Sequence, residues 1–340
     1  MRSTPWILLL LTTAIFAQPP QTREIVRITD DLYRARAGNW YTIFLVTDAG
    51  IILADPISTE FSQWLAEEID RRFDVPVRYV IYSHSHFDHA RGGDVFADTA
   101  TFIGHENMLR NMDGRYPQMP GDMIDRDHNG LIDWDDIMVP TQAHPGICGW
   151  GPSFFDIFDR DGDARVSPQE LFAEVRKPDV VFADHMQITL GDKTVWLAHP
   201  GRNHSDDATV ILFPEERGRF ATEFLADALV TDNIRALPSA CGPFDGTPLQ
   251  EWIASYRFVE ELDFDRIAPG HGDMFDKAYV TETRVYFERL TAAVSAGMAR
   301  GESLQSLRDN LQLTGYEGWA NYERLRGNNI EAAYYNLSQR

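Results

Sequence analysis

The chain is short of positive charge, of cysteine and of long apolar runs, and each shortage narrows the classes of protein to which it can belong. Lys and Arg number 31 against 52 Asp and Glu, which gives a formal net charge of −21. Nucleic-acid binding requires basic side chains for the phosphates, so this balance argues against nucleic acid as a partner. The 2 cysteines allow at most one internal disulfide. With 44% hydrophobic residues, the composition suits a globular enzyme with a sizeable core.

An apolar run near the N-terminus, Trp6–Ala17, is shorter than the about 20 residues that span a membrane comfortably. Arg2 precedes this run, and a polar, proline-containing segment follows it. The order predicts a secretory signal peptide at residues 1–17. We therefore expect an exported protein, periplasmic or secreted, without a stable membrane span after cleavage. Ile15 stands where a small residue is more usual, which leaves an uncleaved anchor as the alternative.

Histidine is also scarce, yet three of the 10 histidines lie within six consecutive positions, His84-Ser85-His86-Phe87-Asp88-His89. The preceding segment, residues 77–82, is apolar and β-branched, which predicts a buried strand. A strand that ends in this motif delivers its polar side chains into a loop at the edge of the sheet. Neutral imidazoles and a carboxylate can bind a divalent metal ion there. A chance cluster in a polar loop is the alternative.

The histidine motif resembles the signature of the metallo-β-lactamase superfamily, and three further segments match the order of motifs in that family. His204 follows a later strand and a glycine-containing turn, where the family has its third histidine. Pro269-Gly270-His271-Gly272 matches the family's final histidine motif, and Asp55 matches an aspartate that steadies the histidine loop. The resemblance extends from about Ile25 to His271 with one interruption. It implies an α/β fold, the αββα sandwich of two mixed sheets covered by helices.

The resemblance also implies a hydrolase with two adjacent metal sites. Three imidazoles with an open fourth position are typical of catalytic zinc. The ligands of the first site would be His84, His86 and His204, and those of the second site Asp88, His89 and His271. Two zinc-type ions about 3.5–4 Å apart would hold a bridging hydroxide as nucleophile, so no strong protein base is required. Asp88 would be the catalytic residue, because it can orient this hydroxide and later carry a proton to the leaving group.

One position departs from the family pattern. Many hydrolases of the superfamily bridge the two metals with an aspartate after the next strand, and Glu223 falls at that place here. We count Glu223 as a candidate metal ligand, with Asp227 as its substitute if the strand is longer. Without a bridging carboxylate, the remaining ligand set is that of one β-lactamase subclass. With one, the site would suit iron better, so a di-iron redox enzyme of the same fold is an alternative.

Two twelve-residue segments fit the calcium loop of the EF-hand, with oxygen ligands at positions 1, 3, 5, 7, 9 and 12. The ligands of the first would be Asp125, Asp127, Asn129, Leu131, Asp133 and Asp136, and those of the second Asp159, Asp161, Asp163, Arg165, Ser167 and Glu170. Position 8 is apolar in both loops, Ile132 and Val166, as the short strand that couples paired loops requires. The second loop has Ala164 where glycine normally allows the sharp turn. We expect one or two calcium ions per chain; a solvated acidic insert without an ion is the alternative.

These loops interrupt the family pattern and define the predicted domains. The catalytic domain would comprise residues 24–110 and 178–281, the calcium-binding insert residues 111–177, and a helical extension residues 282–340. A disulfide between Cys148 and Cys241 would attach the insert to the catalytic domain, although the sequence does not show that they meet. Loops at this edge of a sheet often form binding sites, so calcium is expected to order a wall of the substrate cleft.

The predicted function is that of an exported dinuclear hydrolase, which cleaves a lactam, ester or thioester of a small molecule with a metal-bound hydroxide. A β-lactamase proper, the di-iron redox enzyme and a calcium-dependent binding protein on a vestigial scaffold are the alternatives. His105 and His199 are expected to be structural. Arg202 or Asn203 would meet a substrate anion or else stabilise its own turn. The sequence makes no prediction of the oligomeric state.

Overall fold

A computed structural model describes residues 22–115, 129–133, 136, 152–203, 205–216, 219–222, 235–238 and 248–338. In these residues the chain forms two facing β-sheets with helices against both outer faces, and a separate two-stranded ribbon. The arrangement is the predicted αββα sandwich. The predicted signal peptide lies outside the described residues, as do Cys148 and Cys241.

The first sheet has seven strands in the spatial order β1-β2-β3-β4-β5-β6-β9. They are β1 Arg23–Arg27, β2 Leu32–Ala37, β3 Trp40–Thr47, β4 Gly50–Ala54, β5 Val77–Ile81, β6 Thr101–His105 and β9 Val180–Phe182. Neighbours are antiparallel from β1 to β4 and parallel from β4 to β9. Every residue of β4 is buried, because the strand is central and both faces of the sheet are covered. The parallel strands β4, β5 and β6 therefore end at the same edge of the sheet.

The second sheet has six strands in the order in which they follow in the chain. They are β10 His185–Leu190, β11 Lys193–Ala198, β12 Val210–Phe213, β13 Arg219–Thr222, β14 Arg266–Pro269 and β15 Phe275–Asp276. Within the described residues, β13 and β14 are the one parallel pair of neighbours in this sheet, and the other neighbours are antiparallel. Side chains of both sheets fill the space between them, such as Ile52, Ile81 and Ile103 from the first and Val195 and Ile211 from the second.

The described helices are α1 Thr59–Arg72, α2 Phe87–Ala90, α3 Glu106–Met112, α4 Pro152–Phe158, α5 Pro168–Leu171, α6 Leu249–Glu261, α7 Lys277–Ala299, α8 Leu304–Asn310 and α9 Tyr322–Ser338. Helix α1 packs Phe61 and Leu65 onto the outer face of the seven-stranded sheet. Helices α6, α7 and α9 cover the six-stranded sheet with a core that includes Trp252, Phe287 and Ile330. The C-terminal helices were predicted, and the predicted boundary at residue 282 lies inside α7.

None of the helices in the described ranges combines the length and the apolar character that crossing a membrane requires. The two-stranded ribbon lies in the predicted insert and consists of β7 Ile132–Asp133 and β8 Arg165–Val166. The strands are antiparallel, with Ile132 opposite Val166. This is the pairing of the two apolar position-8 residues that the sequence predicts for coupled loops. Both side chains are fully buried in the core that also contains Phe158 and Leu171.

Candidate metal centre

The candidate centre forms where strand ends of both sheets meet. Asp55 directly follows β4, and the histidine motif follows β5 as a loop that leads into the single turn of α2. His271 comes from the other sheet, two residues after the end of β14. Backbone hydrogen bonds connect the two sheets here, because the amide of Tyr41 in β3 donates to the carbonyl of Gly270 at 2.8 Å.

Asp88, His89 and His271 bring one ligand atom each to a common point. The Nε2 atoms of His89 and His271 are 3.2 Å apart, and each lies 3.4 Å from Oδ2 of Asp88. Ligands at 2.0–2.1 Å from a tetrahedral zinc ion are about 3.3 Å from one another, so the three atoms match one face of such a polyhedron. Two imidazoles and one carboxylate are also a donor set that suits zinc and other transition metals.

The ionisation of Asp88 agrees with a ligand role. Burial by itself raises the pKa of its carboxyl group. The charge of His89 and the hydrogen bonds with His271 and His89 outweigh burial, and they hold the pKa well below its usual range. The group is thus an anion near neutral pH, which is the form that binds a cation.

The two other histidines of the motif lie beside this group. The ring centroids of His84 and His86 are 4.3 Å apart, and those of His84 and His89 are 5.0 Å apart. All three rings are buried, with His89 fully inaccessible. His204, the third ligand predicted for the first site, lies outside the described residues, as do Glu223 and Asp227. The residues on either side of His204, Asn203 and Ser205, are buried.

Asp55 holds the histidine loop in place through Ser83. Its Oδ1 accepts a hydrogen bond from the amide of Ser83 at 2.7 Å, and its Oδ2 accepts one from the Ser83 hydroxyl at 2.6 Å. The Ser83 oxygen also lies 2.9 Å from Nδ1 of His84, and Nδ1 of His89 lies 3.6 Å from Oδ2 of Asp55. These contacts on the Nδ1 side restrain both rings, and Nε2 of His89 faces Asp88 and His271. Sequence reasoning found Asp55 and missed Ser83.

A buried polar group behind the centre was also missed. Asn111 and Arg110 of α3 both bind the carboxylate of Asp206, Asn111 through a 2.9 Å hydrogen bond and Arg110 through an ion pair. The neighbouring Asp207 accepts a hydrogen bond from Ser205. Burial, and then the charge of Asp206, raise the pKa of Asp207 to about 6. The contacts of Asn111 and Arg110 attach α3, which leads into the predicted insert, to the segment that follows position 204.

Residues whose role the sequence left open are engaged in structural contacts. Arg202 forms a two-pronged ion pair with Glu251 of α6. Asn203 donates to the carbonyl of Gly201 at 3.0 Å. Both contacts stabilise the turn, which favours the second of the two roles considered for this pair.

His105 and His199 stack on each other with ring centroids 4.1 Å apart. His105 Nε2 donates to the carbonyl of Ala183 at 2.7 Å, and its Nδ1 accepts from the amide of Asn107 at 3.2 Å. Both ring nitrogens are therefore occupied by protein atoms. Burial lowers the pKa of His105 to about 4, with a smaller contribution from the charge of the neighbouring His199. The expected structural role fits these contacts.

The second predicted calcium loop is fully described. Carboxylate oxygens of Asp159, Asp161 and Glu170 all lie within 4.8 Å of one another. Asp159 accepts hydrogen bonds from the amides of Gly162 and Ala164 at 2.8 and 2.9 Å, which curls the loop around this carboxylate. Ala164 takes the left-handed conformation, with φ 64°, that glycine adopts more easily at this position.

Three other predicted ligands of this loop have defined places. The Asp163 carboxylate accepts a hydrogen bond from the amide of Arg165. Ser167 forms a reciprocal cap with Glu170 at the start of α5.

In the first loop, Asn129, Leu131, Asp133 and Asp136 are described, and Oδ2 of Asp136 accepts a hydrogen bond from the amide of Asp133 at 2.9 Å. Asp125 and Asp127 lie outside the described residues.

Known proteins with a similar sequence pattern or a similar structure identify the family and the fold. The family model of the metallo-beta-lactamase superfamily matches residues 35–271. A metallo-beta-lactamase from Pontibacter korlensis is similar in structure, with a TM-score of 0.52 and 14% identity over 78% of this chain and 99% of that chain. The sec-alkylsulfatase Pisa1 from Pseudomonas sp. is similar with a TM-score of 0.59 and 16% identity, over 92% of this chain and 50% of that chain.

A double mutant of the same sulfatase gives a TM-score of 0.62 and 15% identity, over 93% of this chain and 50% of that chain. This chain thus spans half the length of the sulfatase structures. No curated protein sequence matches it. Identities this low show only a shared fold. The family model matches most of the chain, and the matched residues include both the histidine motif and His271. The chain belongs to the metallo-beta-lactamase superfamily.

Proposed function

We propose that the protein is a dinuclear metal-dependent hydrolase that cleaves a lactam, ester or thioester bond in a small molecule. The observation that carries the proposal is the convergence of Asp88 Oδ2, His89 Nε2 and His271 Nε2 at mutual distances of 3.2 and 3.4 Å. When bound, two zinc-type ions would supply an activated water and polarise the substrate oxygen. Members of this superfamily are mostly metal-dependent hydrolases, which supports the general class.

Different residues of the chain would bind the ions, orient the ligands and transfer the proton. His84 and His86, together with His204, would hold one ion, and the Asp-His-His group the other. Asp55 and Ser83 would keep the rings oriented. Asp88 is an anion within a largely buried site, so it can accept a hydrogen bond that orients the attacking water, and it could later carry a proton to the leaving group. Glu223, which lies outside the described residues, stays a candidate for a further ligand.

The test combines metal analysis with a substrate panel. The full chain, purified without chelator, should contain about two zinc ions and hydrolyse at least one lactam, ester or thioester. Asp88→Asn should lose one zinc equivalent and at least about 100-fold in kcat/KM, by the usual size of acid–base contributions. The matched control is Asp94→Asn. Asp94 is exposed, and its one ion pair among the described residues is with Arg176, at 3.4 Å. A zinc-loaded protein inactive on the whole panel would refute the proposal.

A sulfate ester is the second candidate substrate. The structural similarity to the sec-alkylsulfatase extends over 92% of this chain, against 78% for the metallo-beta-lactamase. A sulfate ester also offers an oxyanion that two cations would polarise. Secondary alkyl sulfates therefore belong in the panel, and turnover of these alone would replace the lactam, ester and thioester assignment.

We also propose that the insert binds calcium at its second loop. The convergent carboxylates of Asp159, Asp161 and Glu170 and the pairing of β7 with β8 support this. The insert contacts the histidine motif directly, since the rings of Phe158 and Phe87 meet edge to face at 4.5 Å. Calcium would thus stabilise the metal-binding loop through this contact, in addition to the expected wall of the cleft.

Calcium binding can be measured separately from zinc. Isothermal titration at millimolar calcium should show at least one site, and Glu170→Gln should weaken it by at least about tenfold because the bidentate ligand is lost. Asp156→Asn, on the exposed side of α4, is the matched control. The absence of binding at these concentrations would make the insert an acidic segment without an ion.

Export is the last element of the proposal, with calcium-rich surroundings in which weak loops fill. Expression of the full chain with a tag at its C-terminus, followed by fractionation and N-terminal sequencing, tests it. A mature protein that begins after residue 17 supports export. An intact N-terminus on cytoplasmic protein contradicts it.

A further inference from the structure

The turn between β2 and β3, together with the first two residues of β3, forms a segment of residues 38–41 that reaches the candidate metal centre. We call this segment the 38–41 hairpin. The indole N–H of Trp40 donates to Oδ2 of Asp88 at 3.1 Å. This is the same oxygen that lies 3.4 Å from Nε2 of both His89 and His271. A carboxylate oxygen has two lone pairs. The indole can therefore fix one of them while the other faces the centre.

The 38–41 hairpin also holds His271, the ligand from the other sheet. Nδ1 of His271 lies 3.2 Å from the carbonyl oxygen of Asn39. A carbonyl only accepts, so Nδ1 carries the proton and Nε2 presents its lone pair to the centre. The Trp40 ring meets the His271 ring edge to face at 5.9 Å. The hairpin thus contacts ligands from both sheets.

The base of the hairpin is fixed by a buried cation. Arg34 in β2 donates from Nη2 to the carbonyls of Pro269 and Gly272, at 2.8 and 2.6 Å, on either side of His271. Its guanidinium group lies over the ring of Tyr41 at 3.7 Å. The hairpin and the His271 loop are therefore held together as one unit before any ion binds.

We propose that Trp40 is a positioning residue, whose indole N–H holds the Asp88 carboxylate in the orientation that the second metal ion requires. The inference rests on the proposed function only in assuming an ion at Asp88, His89 and His271. Without the N–H the carboxylate can rotate, and ordering it again reduces the affinity for the ion. Residues that orient metal ligands typically change affinity by about 10–100-fold.

The test removes the N–H and keeps the ring. Trp40→Phe, and the full chain with benzothienylalanine at position 40, both lack the donor, and the second preserves the shape of the indole. Zinc is titrated into the metal-free full chain in competition with a chromophoric chelator. The matched control is Trp196→Phe, because Trp196 is exposed on β11. Circular dichroism and thermal melting of each metal-free variant show whether it is folded.

We expect the zinc equivalent that Asp88→Asn removes to lose about 10–100-fold in affinity in both Trp40 variants, with the other equivalent and the Trp196 control unchanged. Activity should return at excess zinc with the wild-type KM. Unchanged zinc affinity with a raised KM would mean that Trp40 contacts substrate, and the inference would be wrong. Unchanged affinity and KM would also refute it. Wild-type protein that binds two zinc ions and hydrolyses nothing would refute the proposed function alone, whereas wild type without a second zinc site would refute both.

Discussion

Asp55→Ala should destabilise the metal-free protein more than any surface change, because it removes two short hydrogen bonds to a buried carboxylate. Asp55 and Ser83 are 5% and 3% exposed, and their hydrogen bonds measure 2.7 and 2.6 Å. Hydrogen bonds to charged groups contribute about 1.5–3 kcal/mol each, so the free energy of unfolding should fall by about 3–6 kcal/mol. The variant also leaves the amide of Ser83 buried without its acceptor, which favours the upper half of that range.

The assay is urea unfolding of the chain after complete removal of metal, because bound ions would add their own linkage to stability. Asp55→Asn retains an acceptor for the Ser83 amide and should cost about half as much. Asp94→Ala is the control, since its exposed ion pair should contribute no more than about 1 kcal/mol. If Asp55→Ala costs no more than this control, the role assigned to Asp55 in holding the histidine loop is wrong.

Three further changes have expected outcomes. Phe158→Ala should lower the free energy of unfolding by about 3–5 kcal/mol and weaken zinc binding, because it removes the buried ring that packs on Phe87. The free energy of unfolding should fall by up to about 3 kcal/mol as the pH is lowered from 6.5 to 4. Burial lowers the pKa of His105 to about 4, so in this range the His105 ring binds a proton in the unfolded chain and stays neutral in the folded one. His105→Asn should flatten this pH profile. Gly297→Ala should cost about 1–3 kcal/mol in urea unfolding, because its added carbon would lie 2.3 Å from the buried Leu307 side chain.

Each of these measurements has a matched control. Ile157→Ala removes a neighbouring apolar side chain that is 43% exposed, and it should leave zinc affinity unchanged. Gly318→Ala adds a carbon with nothing within 4 Å, so a cost equal to that of Gly297→Ala would exclude steric contact as the cause. A pH profile that is identical in wild type and His105→Asn would show that other groups govern acid stability.

The sequence predicted those parts of the centre that follow directly from a strand. The apolar segments that became β4 and β5 end in Asp55 and in the histidine motif, and parallel strands place such ends at one edge. The resemblance of these motifs, in their order, to the metallo-beta-lactamase superfamily implied the αββα fold. The contact between Trp40 and Asp88 could not be predicted in this way, because 48 residues separate them and the contact depends on how the start of β3 packs against the segment that follows β5.

Arg202 illustrates the same limit in another form. Its place in a turn near the third histidine suited either an anion-binding or a structural role. The choice depended on Glu251, a residue of α6 that lies 49 positions later in the chain. Local pattern defines which residues can do chemistry, whereas the partners that restrain them come from tertiary packing.

The candidate centre draws its ligands from both sheets of the sandwich, with Asp88 and His89 from one layer and His271 from the other. A bound ion would therefore act as a cross-link between the layers, and neither half of the chain could form the site alone. Unfolding either sheet would release the ion. Each tenfold excess of free metal over the dissociation constant would then add about 1.4 kcal/mol to the stability of the whole sandwich. The metal supply would set how long the folded chain survives, as well as how fast it works.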